Sequence, residues 1–119
     1  MGRLTAADLD EIEAALRSRR LAVVDAVRAR LAVAGAAPSA RLAARLAEGS
    51  SRLADDLPPE EAMMVRNGLE QLRAIDDALQ RIEFGVGGLC TQCGAQIAIA
   101  RLRMLPQAAT CAACDALAR

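Results

Sequence analysis

Residues 79–115 read LQRIEFGVGGLCTQCGAQIAIARLRMLPQAATCAACD, and this stretch decides the fold. It holds two CxxC pairs, Cys90-Thr91-Gln92-Cys93 and Cys111-Ala112-Ala113-Cys114. These are all 4 cysteines of the chain, and there is no histidine to join them. Two residues between paired cysteines let both sulfurs reach one metal at about 2.3 Å. The two pairs together therefore offer a tetrahedral set of four thiolates suited to one Zn²⁺, with Cys90, Cys93, Cys111 and Cys114 as metal ligands. Four protein ligands close the shell and leave no place for water or substrate, so the zinc is structural and not catalytic. Gly94, after the first pair, can take the left-handed backbone that aims N–H groups at the sulfurs. Asp115 holds the equivalent position after the second pair and is expected to adopt the same conformation, which aspartate tolerates better than most residues. Arg101 and Arg103 lie between the pairs and are candidates to stand behind the sulfurs as partial counter-charges to an anionic zinc centre.

Upstream of the cysteines, Val65, Leu69, Leu72, Ile75, Leu79 and Ile82 recur every three or four residues. That spacing predicts a long helix with a coiled-coil-like seam. Pro59 suits the first turn of this helix, where Glu60 and Glu61 favour the N-terminal dipole. Phe84-Gly85-Val86-Gly87-Gly88 ends it, because glycine permits the positive φ that leaves a helix. Met63 and Met64 are read as cover over the interhelix seam.

A second seamed helix opens the chain. Thr5 can cap it, with Asp8 as the acidic partner three residues on. Leu9, Ile12, Leu16, Val23, Val27 and Leu31 follow mostly at helical steps. Ala34–Ser39 interrupts the pattern, and Leu42, Leu46, Leu53 and Leu57 mark a further helical stretch. Two long helices with narrow seams predict a mainly α fold: a long antiparallel helical hairpin, or coiled coil, with a small C-terminal four-cysteine zinc-finger module. The expected division is 1–84 for the hairpin and 85–119 for the finger. Its turn is expected within Gly49–Pro59, with Gly35–Pro38 as another candidate, and Asp55 and Asp56 are the candidate hairpin tip.

Composition fits that architecture. The 119 residues include one aromatic, Phe84, and much of the apolar content is alanine, which buries little area. Fifteen arginines balance fifteen acidic residues, so the chain lacks the electrostatic footprint of tight, nonspecific DNA binding, and no direct sequence-specific DNA binding is expected. No apolar run approaches the roughly 20 residues that span a bilayer, and the N-terminus is unlike a signal peptide. A cytoplasmic location follows as the expectation, where paired cysteines are metal ligands before they are disulfides. Nothing in the sequence supports an enzyme.

The stretch resembles the zinc finger of the DksA/TraR family of bacterial transcription regulators. Ala78, Leu79, Arg81, Ile82, Glu83, Gly85 and Gly88 match before the finger. Cys90, Cys93, Gly94, Ile97, Arg101, Leu102, Pro106, Ala108, Cys111 and Cys114 match inside it. The resemblance covers residues 69–115 or so. It implies a zinc finger attached to a long antiparallel coiled coil that binds RNA polymerase through the enzyme's secondary channel, for some members together with ppGpp. A zinc-stabilised coiled-coil adaptor for another protein is the alternative. The chain departs from the family in two places. Gly87 stands where an aromatic is usual, with Phe84 nearby as a substitute. The D-x-x-D-x-A tip pattern falls on Ala47, Ser50 and Arg52, and Asp55 and Asp56 are the nearest acidic pair. So few residues follow Cys114 that little room is expected for a C-terminal helix.

Overall fold

A helix starts best where a side chain satisfies its first free N–H groups, and Thr5 and Asp8 do this reciprocally. The Asp8 N–H donates to Thr5 Oγ1, and the Thr5 N–H donates to Asp8 Oδ2, both at 3.0 Å. Helix α1 then runs Ala6–Val33. The computed structural model describes residues 4–33 and 57–118. Asp55, Asp56 and the rest of the expected turn up to residue 56, with Gly35–Pro38, Leu42, Leu46 and Leu53, lie outside the described residues.

Helix α2 spans Pro59–Glu83, with Pro59 in the first turn as its missing N–H allows. It ends in a Schellman arrangement. Gly85 takes φ 78°, its N–H donates to Ile82 O at 3.1 Å, and the Val86 N–H reaches back to Arg81 O at 2.9 Å. Two short helices follow, α3 over Ile99–Met104 and α4 over Ala112–Ala118. None of the described helices is long and apolar enough to cross a membrane.

The chain forms two compact units, 19–73 and 1–18 with 74–119. In the first, Val27 and Leu31 of α1 pack with Ala62, Val65, Leu69 and Leu72 of α2, and Val23, Val24 and Leu57 flank them. The helices run antiparallel there. Arg30 Nη1 lies 3.8 Å from Glu61 Oε2, while Val27 lies against Gly68, further along α2. Gly68 makes the close approach possible: a Cβ at that position would sit 2.4 Å from Val27 Cγ2. Each buried Val or Leu of this seam contributes on the order of 1.5–3 kcal/mol, so packing of the two apolar faces, more than helix propensity, holds the pair. Met63 and Met64 do not close the seam as expected. Met63 is exposed, and Met64 lines a cavity of about 310 Å³ beside Gly68. Both positions fall off the stripe set by Ala62, Val65 and Leu69, so Met63 faces outward and Met64 borders the seam from its flank, beside Val23 and Val27.

The second unit combines the first turns of α1, the last turns of α2 and the cysteine module. Ile12, Leu16, Ile75 and Ala78 are buried in it together with Cys90, Ile97 and Leu102. These helix positions are the ones the seam spacing singled out, Ala78 apart.

Candidate metal centre

The first pair sits on a tight knuckle. Gly88, at φ 81°, offers its carbonyl to the Ile97 N–H at 2.8 Å, which brings the chain back alongside itself. Leu89 and Gln96 pair there as an antiparallel bridge. The Cys90 N–H donates to Ala95 O at 2.8 Å, and the Gly94 N–H donates to Cys90 O at 2.9 Å. Gly94 takes φ 75°, the left-handed turn expected of it. The Gln96 side chain locks the knuckle by donating from Nε2 to Gly88 O at 2.7 Å and Ile97 O at 3.1 Å.

The second pair is built differently. Cys111 immediately precedes α4, and its sulfur lies 3.5 Å from the Cys114 N, whose N–H it accepts. The Asp115 N–H donates to Cys111 O at 2.9 Å as an ordinary helical bond. Asp115 is therefore helical and not left-handed; no described residue other than glycine has positive φ. The first knuckle must turn back to pair Leu89 with Gln96, whereas the second runs straight on into a helix. Because α4 begins inside the second CxxC, a C-terminal helix fits after all. The two pairs are tied together by the Thr91 N–H, which donates to Ala109 O at 2.9 Å.

This arrangement brings all four sulfurs within 4.8 Å of one another. Cys93 Sγ and Cys111 Sγ, from opposite pairs, are 3.8 Å apart. Ligands about 2.3 Å from a tetrahedral Zn²⁺ stand roughly 3.8 Å from each other, so the spacing fits zinc. The protonation chemistry agrees. Backbone N–H groups of Cys111, Cys93 and Gln92 draw the Cys90 thiol down to about 6. The crowded sulfurs of Cys111, Cys93 and Cys90 push the Cys114 thiol up to about 12. One thiolate is favoured while the last is suppressed by its neighbours, a conflict that a dication among them relieves. Cys90 is buried and Cys93 exposed, so the centre is shielded on one side only.

Residues 83–116 match the family model for the prokaryotic dksA/traR C4-type zinc finger. The finger is thus similar to the C4 zinc fingers of the DksA/TraR family. Among solved structures, the fold matches that of transcription factor DksA2 from Pseudomonas aeruginosa. The TM-score is 0.74 at 20% identity, over 97% of this chain and 85% of that one. No curated protein matches the sequence at a significant level. The chain thus has a mainly helical DksA-like fold whose C4 finger carries a structural zinc.

The two arginines of α3 part company. Arg101 stays beside the second pair, its Nε donating to Thr110 O at 3.1 Å. Arg103 instead turns to α1 and donates to Glu11 at 2.9 Å. Helical geometry separates them, since residues two apart do not share a face. At the family's aromatic position, a Cβ on Gly87 would meet Ile82 Cγ1 at 2.6 Å. Ile82, rather than Phe84, fills that space, and Phe84 is 71% exposed. Sequence reasoning did not single out Gln96, Glu11 or Leu4. Only Leu4 carried a signal: an apolar residue just before a helix cap commonly packs near that end. Here it lies against Gly88.

Proposed function

We propose that the chain is a DksA-like transcription regulator that binds RNA polymerase directly through the enzyme's secondary channel. The observation that carries this reading is a DksA/TraR finger, residues 83–116, on a chain whose fold matches a DksA2 transcription factor. The finger's unit takes in the first turns of α1 and the last turns of α2, so zinc would hold the ends of both long helices. The zinc does no chemistry in this reading. Its four thiolates leave no open coordination position, and the family and the structural neighbour are transcription factors, not enzymes. Zero net charge favours a protein partner over DNA, and the polymerase sets the location as the cytoplasm.

The test is capture of purified core RNA polymerase by the zinc-loaded chain, with a known secondary-channel factor as competitor. Capture that the competitor displaces supports the reading. Absence of capture at micromolar concentrations would leave the adaptor alternative in its place. Repeating the capture with ppGpp asks whether the alarmone is a co-ligand.

A further inference from the structure

The two cysteine pairs are secured by different means. The first is locked by main-chain bonds on both flanks, from Cys90 to Ala95 and from Gly94 to Cys90, and by the bridge of Leu89 with Gln96. The second is mounted at the start of a 7-residue helix, too short to hold itself. One side chain brackets it. Arg101 Nε donates to the carbonyl of Thr110, the residue before Cys111, at 3.1 Å. Arg101 Nη2 lies 3.8 Å from Asp115 Oδ2, on the residue after Cys114.

The arginine has a firm base. The Arg101 and Leu102 N–H groups both reach Ala98 O, at 3.0 and 3.1 Å, and Leu102 is 2% exposed. The side chain of Arg101 keeps only 24% of its surface. From these contacts we infer that Arg101 is a positioning residue of the zinc centre, which fixes Cys111 and Cys114 by gripping the chain on either side of them. This rests on the zinc reading of the four cysteines and is independent of the polymerase reading.

The role differs from that of a counter-charge. A counter-charge needs only a cation nearby, and lysine would serve. A bracket needs the planar guanidinium, whose Nε and Nη2 serve two partners at once, and lysine cannot supply it.

The experiment measures zinc affinity in the full chain by competition with pyridylazoresorcinol, for the wild type, Arg101→Lys, Arg101→Ala and Arg103→Ala. Arg101→Lys is expected to weaken zinc binding roughly 10–100-fold, the usual effect of losing a residue that orients metal ligands. Arg103→Ala, which breaks the other ion pair of the same helix, is expected to leave zinc affinity unchanged. In Co²⁺-substituted protein, Arg101→Lys should also alter the visible absorption envelope, which reports ligand geometry. Wild-type affinity and spectrum in Arg101→Lys would overturn the inference. So would an equal loss in Arg103→Ala, since the effect would then belong to helix α3 as a whole. Should Arg101→Ala fail to fold, Arg101→Lys carries the test.

Discussion

Arg103 Nε lies 2.9 Å from Glu11 Oε2, a direct link between residues 92 positions apart. It joins the short helix between the cysteine pairs to the first turns of α1. The contact raises the Arg103 pKa, through the hydrogen bond to Glu11 and then its charge. Both side chains remain more than half exposed, so solvent screens the pair. A double-mutant cycle of Glu11→Gln and Arg103→Ala should show a small favourable coupling at low salt. At 1 M salt that coupling should vanish. A large coupling that persists at high salt would mean the pair is buried in solution.

Gly88 and Gly94 both have positive φ, but their surroundings differ. A Cβ on Gly94 meets nothing within 4 Å, while one on Gly88 would lie 2.3 Å from Leu4 Cδ1 and 3.0 Å from Gln96 Nε2. Gly94→Ala should therefore cost only the left-handed backbone, about 1–2 kcal/mol. Gly88→Ala should cost about 1–3 kcal/mol more by overpacking, part of it recovered by Leu4→Ala. Denaturant melts of the zinc-loaded proteins give the ordering, and equal costs at the two sites would refute it.

Gly68 sets two effects against each other. Alanine would gain up to about 1 kcal/mol of helix propensity. Its Cβ would also collide with Val27 Cγ2 at 2.4 Å, and overpacking typically costs about 1–3 kcal/mol. Gly68→Ala is expected to destabilise unit 19–73, and made in a Val27→Ala background it should cost nothing further relative to Val27→Ala alone. A Gly68→Ala protein that melts above the wild type would show that the helices can separate without penalty.

The α1 cap makes stability depend on pH. The Asp8 carboxyl is held below its ordinary range by the Thr5 N–H, next by the Thr5 hydroxyl, and further by Arg103. A depressed carboxylate stabilises the fold above its unfolded pKa and loses that contribution as pH falls through the folded pKa. Thr5→Ala should cost about 1 kcal/mol at neutral pH. The difference between Asp8→Asn and wild type should shrink as pH falls below the ordinary carboxylate range. Melts between neutral and acid pH measure this, and a difference that grows on acidification would contradict it.

Features set by local rules could be read in the sequence. The CxxC spacing, the left-handed Gly94, the helix exit at Gly85, Pro59 in a first turn and the Thr5–Asp8 cap each depend on a few adjacent residues. The seam from Val65 to Ile75 was legible for the same reason, because helical period alone selects a face. Contacts made by the folded chain were not legible. Nothing in the local sequence announces that Arg103 meets Glu11, that Val27 needs Gly68, or that Leu4 covers Gly88. Asp115 shows the limit of analogy between the two pairs. The equivalent position implied a left-handed turn, but the helix starting at Ala112 overrode it. Phe84 was expected to replace an aromatic at position 87, yet the space belongs to Ile82.

The four-sulfur centre should be required for the module to fold. Cys111→Ser or Cys90→Ser should abolish tight zinc binding and unfold the finger, since binding energy at a structural zinc site is folding energy. Helical circular dichroism should fall only in part, because the seam from Val27 to Leu72 lies in the other unit. A variant with full zinc content and a native melt would contradict this.

The most direct measurement of the central claim is an anisotropy titration of the labelled, zinc-loaded chain with core RNA polymerase. A parallel titration uses the Cys111→Ser variant. Saturable binding at micromolar Kd or tighter is expected for the zinc-loaded chain, displaced by a secondary-channel factor and lost in the variant. No binding, or equal binding with the finger unfolded, would contradict the account.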